Sequence, residues 1–183
     1  MNHTHFGKRA AALLMTVFLL LQALTAAAGN TSAVISAQRV DAAAGEEVHV
    51  LLRIEENPGM SSLKLKIAYD DSVLTLRSVS DKGLFDSAPT TSPQLTKNPY
   101  IILWASAGNM VQNGELVELV FHVSDSAVSG LQTIAITVES AFNETDGKVA
   151  ISAQNAEIMI GEAPPATIQN VKAGEQITAN VQC

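Results

Sequence analysis

Apolar residues recur at every second position through much of this chain, and this period restricts its fold more than any other feature. In Glu47–Glu55, EVHVLLRIE, the apolar series is Val48, Val50, Leu52 and Ile54. A β-strand points successive side chains to opposite faces, so this period predicts a strand with one buried and one solvated face. No helical period of useful length follows the apolar run near the N-terminus. The sequence therefore predicts an all-β domain.

About nine strands are predicted, separated by turn sequences such as ENPG, DDS and ETDG. One is a short edge strand near Gln94 and Leu95, inside the proline-rich segment 82–99, because proline is tolerated mainly at sheet edges. The other eight are Val34–Val40, Glu47–Glu55, Leu63–Tyr69, Val73–Val79, Tyr100–Ser106, Leu116–Val123, Gln132–Val138 and Lys148–Ile160. Short strands at this spacing, rich in Val, Ile and Thr, predict a β-sandwich.

The first residues have the pattern of a secretory signal peptide. Lys8 and Arg9 precede an apolar run over residues 10–21, and the small residues of QALTAAAGN follow. A basic region, a short apolar run and a small-residue cleavage site are typical of such a peptide. The run is shorter than the roughly 20 residues that a membrane-spanning helix needs. We therefore predict cleavage after Ala28 and a secreted protein, extracellular or held at the cell surface by elements outside this chain.

The remaining chain is predicted to hold one domain, residues 29–162, followed by a proline-containing linker or tail, residues 163–183, that could begin a further, truncated segment. Without Lys8 and Arg9, nine basic residues face 18 acidic ones, a net charge of −9. Such an acidic exported protein is not expected to bind nucleic acid or anionic membrane.

Cys183 is the single cysteine, so no disulfide within the chain is expected. This residue is either a simple chain end or a thiol that pairs between chains.

Sequence motifs for catalysis are missing. The chain has no H-E-x-x-H, G-x-S-x-G or C-x-x-C motif and no glycine-rich phosphate loop. His49 and His122 lie in alternating strands and are expected at the surface, while Glu115 and Glu118 are three apart on a strand and would face opposite sides. YDDS and NETDG offer oxygen ligands for calcium but lack EF-hand spacing. We expect no enzyme, no metal site and no cofactor.

Three segments, taken in order, resemble the cohesin domain of cellulosomal scaffoldins. They are VDAAAGEEVHVLLRIEENPGMSSLKLKIAYDDSVLTLRSV, GELVELVFHVSDSAVSG and ITVESAF. A glycine precedes the second strand, a Gly-Met turn precedes the third, and the third strand ends in the pattern YD…VL. The resemblance covers residues 33–160. It implies a flattened, nine-stranded β-sandwich with jelly-roll topology.

The resemblance also implies a non-catalytic module that binds dockerins, the small calcium-loaded helical pairs carried by polysaccharide-degrading enzymes, in extracellular complexes of the cellulosome type. The family docks its partner on one sheet face, built from strands three, five, six and eight. In this chain the matching positions are Ser62, Lys64, Lys66, Ala68, Ile101, Leu103, Ala105, Thr137 and Glu139. Well-known members carry acidic or amide groups where this chain has Lys64 and Lys66, so we expect a different specificity and an acidic partner surface.

Two other functions remain open from the sequence. One is a carbohydrate-binding module of similar fold, although Trp104, the only tryptophan, has apolar neighbours and is expected to point inward with Ile102. The other is a surface or adhesion domain with a different partner. As a cohesin the protein would associate with polysaccharide only indirectly, through the enzymes it recruits.

Overall fold

The computed structural model describes residues 32–161, which form eleven β-strands in two sheets. The strands are β1 (Ala33–Ala37), β2 (Val40–Ala43), β3 (Glu47–Glu55), β4 (Met60–Ala68), β5 (Leu74–Asp81), β6 (Thr90–Thr91), β7 (Tyr100–Met110), β8 (Gly114–Val123), β9 (Gly130–Phe142), β10 (Ile151–Ala153) and β11 (Ala156–Gly161). The five-stranded sheet has the order β10-β1-β3-β8-β5, and the six-stranded sheet has the order β2-β11-β9-β4-β7-β6. In this part of the chain no helix is long and apolar enough to cross a membrane.

The two sheets pack face to face around one apolar core, which confirms the predicted all-β sandwich with jelly-roll topology. The period of two decides which side chains enter this core. In β4, Leu63, Leu65 and Ile67 are fully buried while the residues between them reach the surface. Burying an aliphatic side chain of this size contributes about 1.5–3 kcal/mol, so the alternation fixes the register of each strand.

The first and last predicted strands are each divided between the two sheets. The predicted strand Val34–Val40 consists of β1 in the five-stranded sheet and the start of β2 in the six-stranded sheet. The predicted strand Lys148–Ile160 likewise consists of β10 and β11. β1 runs parallel to β10, and β2 runs parallel to β11, so the chain changes sheet at the same level in both places. This division is why nine predicted segments give eleven strands.

The predicted edge strand near Gln94 and Leu95 was placed wrongly. The edge strand is Thr90–Thr91, which pairs with Leu103 and Ile102 of β7. Gln94 instead lies in a turn, where its carbonyl accepts a hydrogen bond from the Lys97 amide at 3.1 Å. β7 and β9 are both longer than predicted, ending at Met110 and Phe142. The predicted signal peptide and the predicted tail, residues 163–183, lie outside the described residues.

Candidate partner-binding face

The nine residues predicted to form a docking surface all lie on β4, β7 and β9, and their side chains share the outward face of the six-stranded sheet. These strands and β6 are neighbours in the order β9-β4-β7-β6, and they correspond to the predicted strands three, five, six and eight. We call these nine residues the β4 face. The nine residues therefore lie together on one outward face, and their role in partner binding stays a prediction.

Cross-strand pairing sets the arrangement of the β4 face. On β7, Leu103 lies opposite Lys64, and Ile101 lies opposite Lys66. On the other side of β4, Thr137 of β9 lies opposite Lys66. Residues that pair directly across strands have neighbouring side chains on the same face. The two lysines are therefore flanked by aliphatic side chains on the β7 side.

Leu103 is a large apolar side chain that is exposed at the centre of this face. It is 37 % exposed, whereas Ile102 and Trp104 on either side of it are fully buried. The orientations predicted for these three residues are confirmed. A large aliphatic side chain in solvent costs free energy that contact with a partner would recover.

Glu139 lies between the two lysines because β9 bulges at this point. The pairing of β4 with β9 shifts from Lys64↔Ser140 to Leu65↔Val138, so Glu139 is the extra residue. Its carboxylate is 2.8 Å from the Lys64 ammonium and 4.0 Å from that of Lys66. The hydrogen bond from Lys64 lowers the pKa of Glu139, and the charges of both lysines act in the same direction. The cluster of three residues thus keeps one net positive charge.

Trp104 supports this face from inside the sandwich. Its indole ring stacks on Phe85 with centroids 5.9 Å apart, and its Nε1–H donates a 2.8 Å hydrogen bond to Asp81 of the opposite sheet. A buried ring with a satisfied N–H is held in one position. Because it is fully buried, the one tryptophan of the chain has no free ring face on which a sugar could stack.

The acidic turns considered for calcium use their oxygens locally. The Asp70 carboxylate accepts hydrogen bonds from the Ser72 hydroxyl at 2.6 Å and the Ser72 amide at 3.0 Å, and these bonds lower the pKa of Asp70. The Asn143 side-chain oxygen accepts from the amides of Thr145 and Gly147. Within residues 32–161 no group of three or more His, Cys, Asp or Glu side chains is close enough to hold a metal ion.

The family model of the cohesin domain matches residues 33–160 of the sequence, well over half of the chain. The chain belongs to the cohesin family. Comparison of the sequence with curated proteins gave no significant match.

Solved cohesin structures share the fold of this cohesin domain at low sequence identity. The seventh ScaB type I cohesin from Pseudobacteroides cellulosolvens is 18% identical, with a TM-score of 0.66 over 76% of this chain and 99% of that chain. The cohesin of a type I cohesin–dockerin complex from Clostridium thermocellum is 14% identical, with a TM-score of 0.64 over 70% of this chain and 99% of that chain. A non-cellulosomal cohesin from the archaeon Archaeoglobus fulgidus is 18% identical, with a TM-score of 0.61 over 71% of this chain and 91% of that chain.

The opposite face of this cohesin, on the five-stranded sheet, is an ion-pair surface. The Glu118 carboxylate accepts a hydrogen bond from Lys82 at 2.7 Å and pairs with His49 at 2.8 Å. Both contacts lower the pKa of Glu118, and the hydrogen bond from Lys82 has the larger effect. Arg53 and Glu115 approach to 3.3 Å. His49 was predicted to lie on the sheet opposite the docking surface, and it does.

Phe142 is an exposed aromatic residue of the outward face that sequence reasoning missed. It ends β9, pairs with Ser62 of β4, and is 39 % exposed. Strict alternation from Thr137 and Glu139 would point Ala141 outward and Phe142 inward. The bulge at Glu139 reverses that order, since Ala141 is 1 % exposed. The sequence signal that could have revealed this reversal is the pair of consecutive polar residues, Glu139 and Ser140, which interrupts the alternation before Ala141.

Proposed function

We propose that this cohesin domain is a non-catalytic module that binds dockerin modules through the β4 face. The observation that carries the proposal is the exposed Leu103, which lies at the centre of a single outward face in a chain that belongs to the cohesin family. Several of the structurally similar cohesins were solved in complex with dockerins, which supports a partner of this kind.

Charge on the β4 face indicates the chemistry of the partner surface. Lys64 and Lys66 share one carboxylate, that of Glu139, and all three side chains are partly exposed. An ammonium group has three N–H donors, so each lysine retains donors after pairing with Glu139. A dockerin that carries carboxylates opposite β4 would complement this charge, and rim charges of this type chiefly govern association rate and specificity.

The biological setting we propose is the assembly of polysaccharide-degrading enzymes outside the cell. The signal-peptide pattern of residues 1–28 and the similarity to type I cohesins, one of them solved in complex with a dockerin, support it. Another similar cohesin is described as non-cellulosomal, so the setting needs its own test. Detection of the protein in the culture medium or at the cell surface, together with dockerin-bearing enzymes that co-purify with it, would support the proposal. Retention inside the cell would contradict it.

Calorimetry of the purified chain against calcium-loaded dockerin modules encoded in the same genome tests dockerin binding. Leu103→Asp should lower the affinity about 100-fold or more, because docking would bury an unpaired charge. The matched control is Leu51→Asp on the outward face of the five-stranded sheet, with His49→Ala as a second control. Both controls should bind like the unaltered chain, and thermal melting confirms that each variant folds.

Two outcomes would overturn the proposed function. The first is that no dockerin of the panel binds the unaltered chain. The second is that His49→Ala or Leu51→Asp weakens binding while Leu103→Asp does not, which would place the docking surface on the five-stranded sheet. Retention of the chain on insoluble cellulose or xylan without a dockerin would favour a carbohydrate-binding module instead.

A further inference from the structure

The turn between β7 and β8 contains an asparagine directly before a glycine, and Asn113–Gly114 is the one pair of this kind in the sequence. Asn113 is exposed and lies outside the strands, and Gly114 is the first residue of β8. In this order the glycine nitrogen can close a five-membered ring on the carbonyl carbon of the asparagine side chain. Glycine has no Cβ to obstruct that approach. The turn therefore has the groups that an intramolecular deamidation needs.

The side-chain carbonyl of Asn113 is held in this turn by Asn57. Its Oδ1 accepts a hydrogen bond from the backbone N–H of Asn57 at 3.0 Å. Attack on the adjacent carbon would place negative charge on this oxygen, and an N–H donor aimed at such an oxygen stabilises that charge. The pairing of β8 with β3 ends at Gly114, opposite Ile54. Because strand ends open at low cost in free energy, the Gly114 nitrogen can turn toward Asn113 without disruption of the sheet.

We propose that Asn113 is a deamidation site, at which the exposed side-chain amide becomes a carboxylate without an enzyme. The Gly114 nitrogen loses its proton to hydroxide and forms a bond to Cγ of Asn113, while the side-chain nitrogen takes up a proton and leaves as ammonia. One water then opens the cyclic imide. Breaking its Cγ–N bond gives aspartate, and breaking the bond between the Asn113 backbone carbonyl carbon and the nitrogen gives isoaspartate. In total one water is consumed and one ammonia is released, with no oxidation or reduction.

The other asparagines among residues 32–161 lack this arrangement. Asn57 and Asn98 precede prolines, which have no N–H to react. After Asn143, the backbone N–H of Glu144 is engaged, because it donates a 2.9 Å hydrogen bond to the Asn109 side chain. Two asparagines precede residues whose side chains are buried in the core, Asn109 before Met110 and Asn155 before Ala156. The modification should therefore be confined to Asn113.

Deamidation at this place would loosen a junction between two turns. Asn57, in the β3–β4 turn, donates hydrogen bonds from Nδ2 to the carbonyls of Met110 at 2.9 Å and Gln112 at 3.0 Å. Isoaspartate adds one methylene to the main chain directly after Gln112, so the Gln112 carbonyl would move relative to Asn57. Aspartate keeps the length of the main chain but adds a negative charge close to Glu115. Both products should therefore lower the melting temperature of the domain.

The test is incubation of the folded chain at mildly alkaline pH, followed by proteolytic digestion and mass spectrometry. The peptide that contains Asn113 should gain the mass of an amide-to-acid conversion, and an isoaspartate-specific methyltransferase with a labelled methyl donor should modify it. At mildly acidic pH the conversion should be about tenfold slower or more, because hydroxide removes the amide proton. The matched control is Asn113→Gln, which keeps the side-chain amide but would need a six-membered ring, and it should gain no mass.

A free peptide with the sequence MVQNGEL is the reference for the unprotected reaction. If this peptide converts while Asn113 of the folded chain does not, the fold protects the residue and the proposal is wrong. Equal conversion at Asn109 or Asn143 would also overturn it, since the chain would then react only after unfolding. The converted fraction should melt about 2–8 °C below the unconverted chain, and an equal melting temperature would contradict the junction between the two turns. Because no dockerin is used, these outcomes do not depend on the proposed function.

Discussion

The outer faces of the two sheets carry the same electrostatic motif and differ in what surrounds it. On the six-stranded sheet Glu139 pairs with Lys64 and Lys66; on the five-stranded sheet Glu118 pairs with Lys82 and His49. Each face therefore has one carboxylate shared by two basic side chains. Ion pairs at the surface are therefore a poor guide to which face binds a partner.

Exposed apolar side chains distinguish the faces. Among the described residues, the large hydrophobic side chains with substantial exposure include Leu103, Leu131 and Phe142 on the outward face of the six-stranded sheet. On the five-stranded sheet the outward-facing Val120 is 9 % exposed and Leu51 is half-buried. The outward face of the six-stranded sheet therefore exposes large apolar side chains to solvent, whereas those of the five-stranded sheet are buried or half-buried.

The largest effect is expected from removing the core that both faces share. Trp104→Ala should lower the free energy of unfolding by about 3–5 kcal/mol, as large-to-small core substitutions do. Because Trp104 packs between the two sheets, this change should destabilise both of them. Denaturant unfolding measures this, and blue-shifted native fluorescence is a quick check of burial. Leu103→Ala, the adjacent outward residue, is the control and should change stability little. Red-shifted emission or an unchanged stability for Trp104→Ala would mean that the two faces of β7 are assigned in reverse.

Charge reversal on the β4 face should have an intermediate effect. Lys64→Glu combined with Lys66→Glu should weaken dockerin binding about tenfold at low salt and much less at 1 M salt, where the screening length falls from about 8–10 Å to about 3 Å. Calorimetry over a salt series measures the effect. The matched control is Arg53→Glu combined with Lys82→Glu on the other face, which should leave binding unchanged. If both double variants lost the same amount of dockerin affinity, the lysines of the β4 face would have no specific role in binding.

The smallest effect should come from the shared carboxylate. Because the pKa of Glu139 is lowered in the folded protein, its contribution to stability is present above the ordinary glutamate pKa and is lost as pH falls through the lower folded value. A carboxyl titration by NMR should therefore show Glu139 protonating below the usual range. Glu139→Gln should strengthen binding of an acidic dockerin a few-fold at low salt, because Lys64 is no longer neutralised.

Glu118→Gln is the control for this variant, since the pKa of Glu118 is lowered in the same direction by Lys82 and His49. It should alter the acid dependence of stability but not dockerin affinity. Weaker binding by Glu139→Gln would contradict an acidic partner and would indicate that Glu139 itself contacts a basic group of the dockerin.

Local period was sufficient to predict much of the fold. The bounds of β3 and the inward or outward direction of Ile101, Ile102, Leu103 and Trp104 follow from alternation within a few residues. The placement of the β4 face followed from the family resemblance combined with that alternation. These properties depend on neighbours in the chain, which a single sequence displays.

Features that depend on distant pairing were not predictable in the same way. The change of sheet after Ala37 depends on β10 and β11, more than 100 residues away, and the edge strand at Thr90 depends on its pairing with Leu103. The bulge that brings Glu139 between two lysines and turns Phe142 outward depends on how β9 pairs with β4. At the bulge the alternation breaks, because Glu139 and Ser140 are consecutive polar residues between Val138 and Ala141, but this break does not show which strand pairs there or how the register shifts.

The parallel pairing of the first and last strands determines how the domain responds to a mechanical load. Ala33 pairs at the level of Ile151, and Gly161 pairs at the level of Ala43, so residues 33 and 161 lie at opposite ends of these paired segments. A force that separates them pulls β1 and β11 along their own axes, and the hydrogen bonds of each pair share the load together. Forced unfolding is governed by the unfolding rate. We therefore expect resistance to pulling to depend first on these paired strands at one margin of the sandwich.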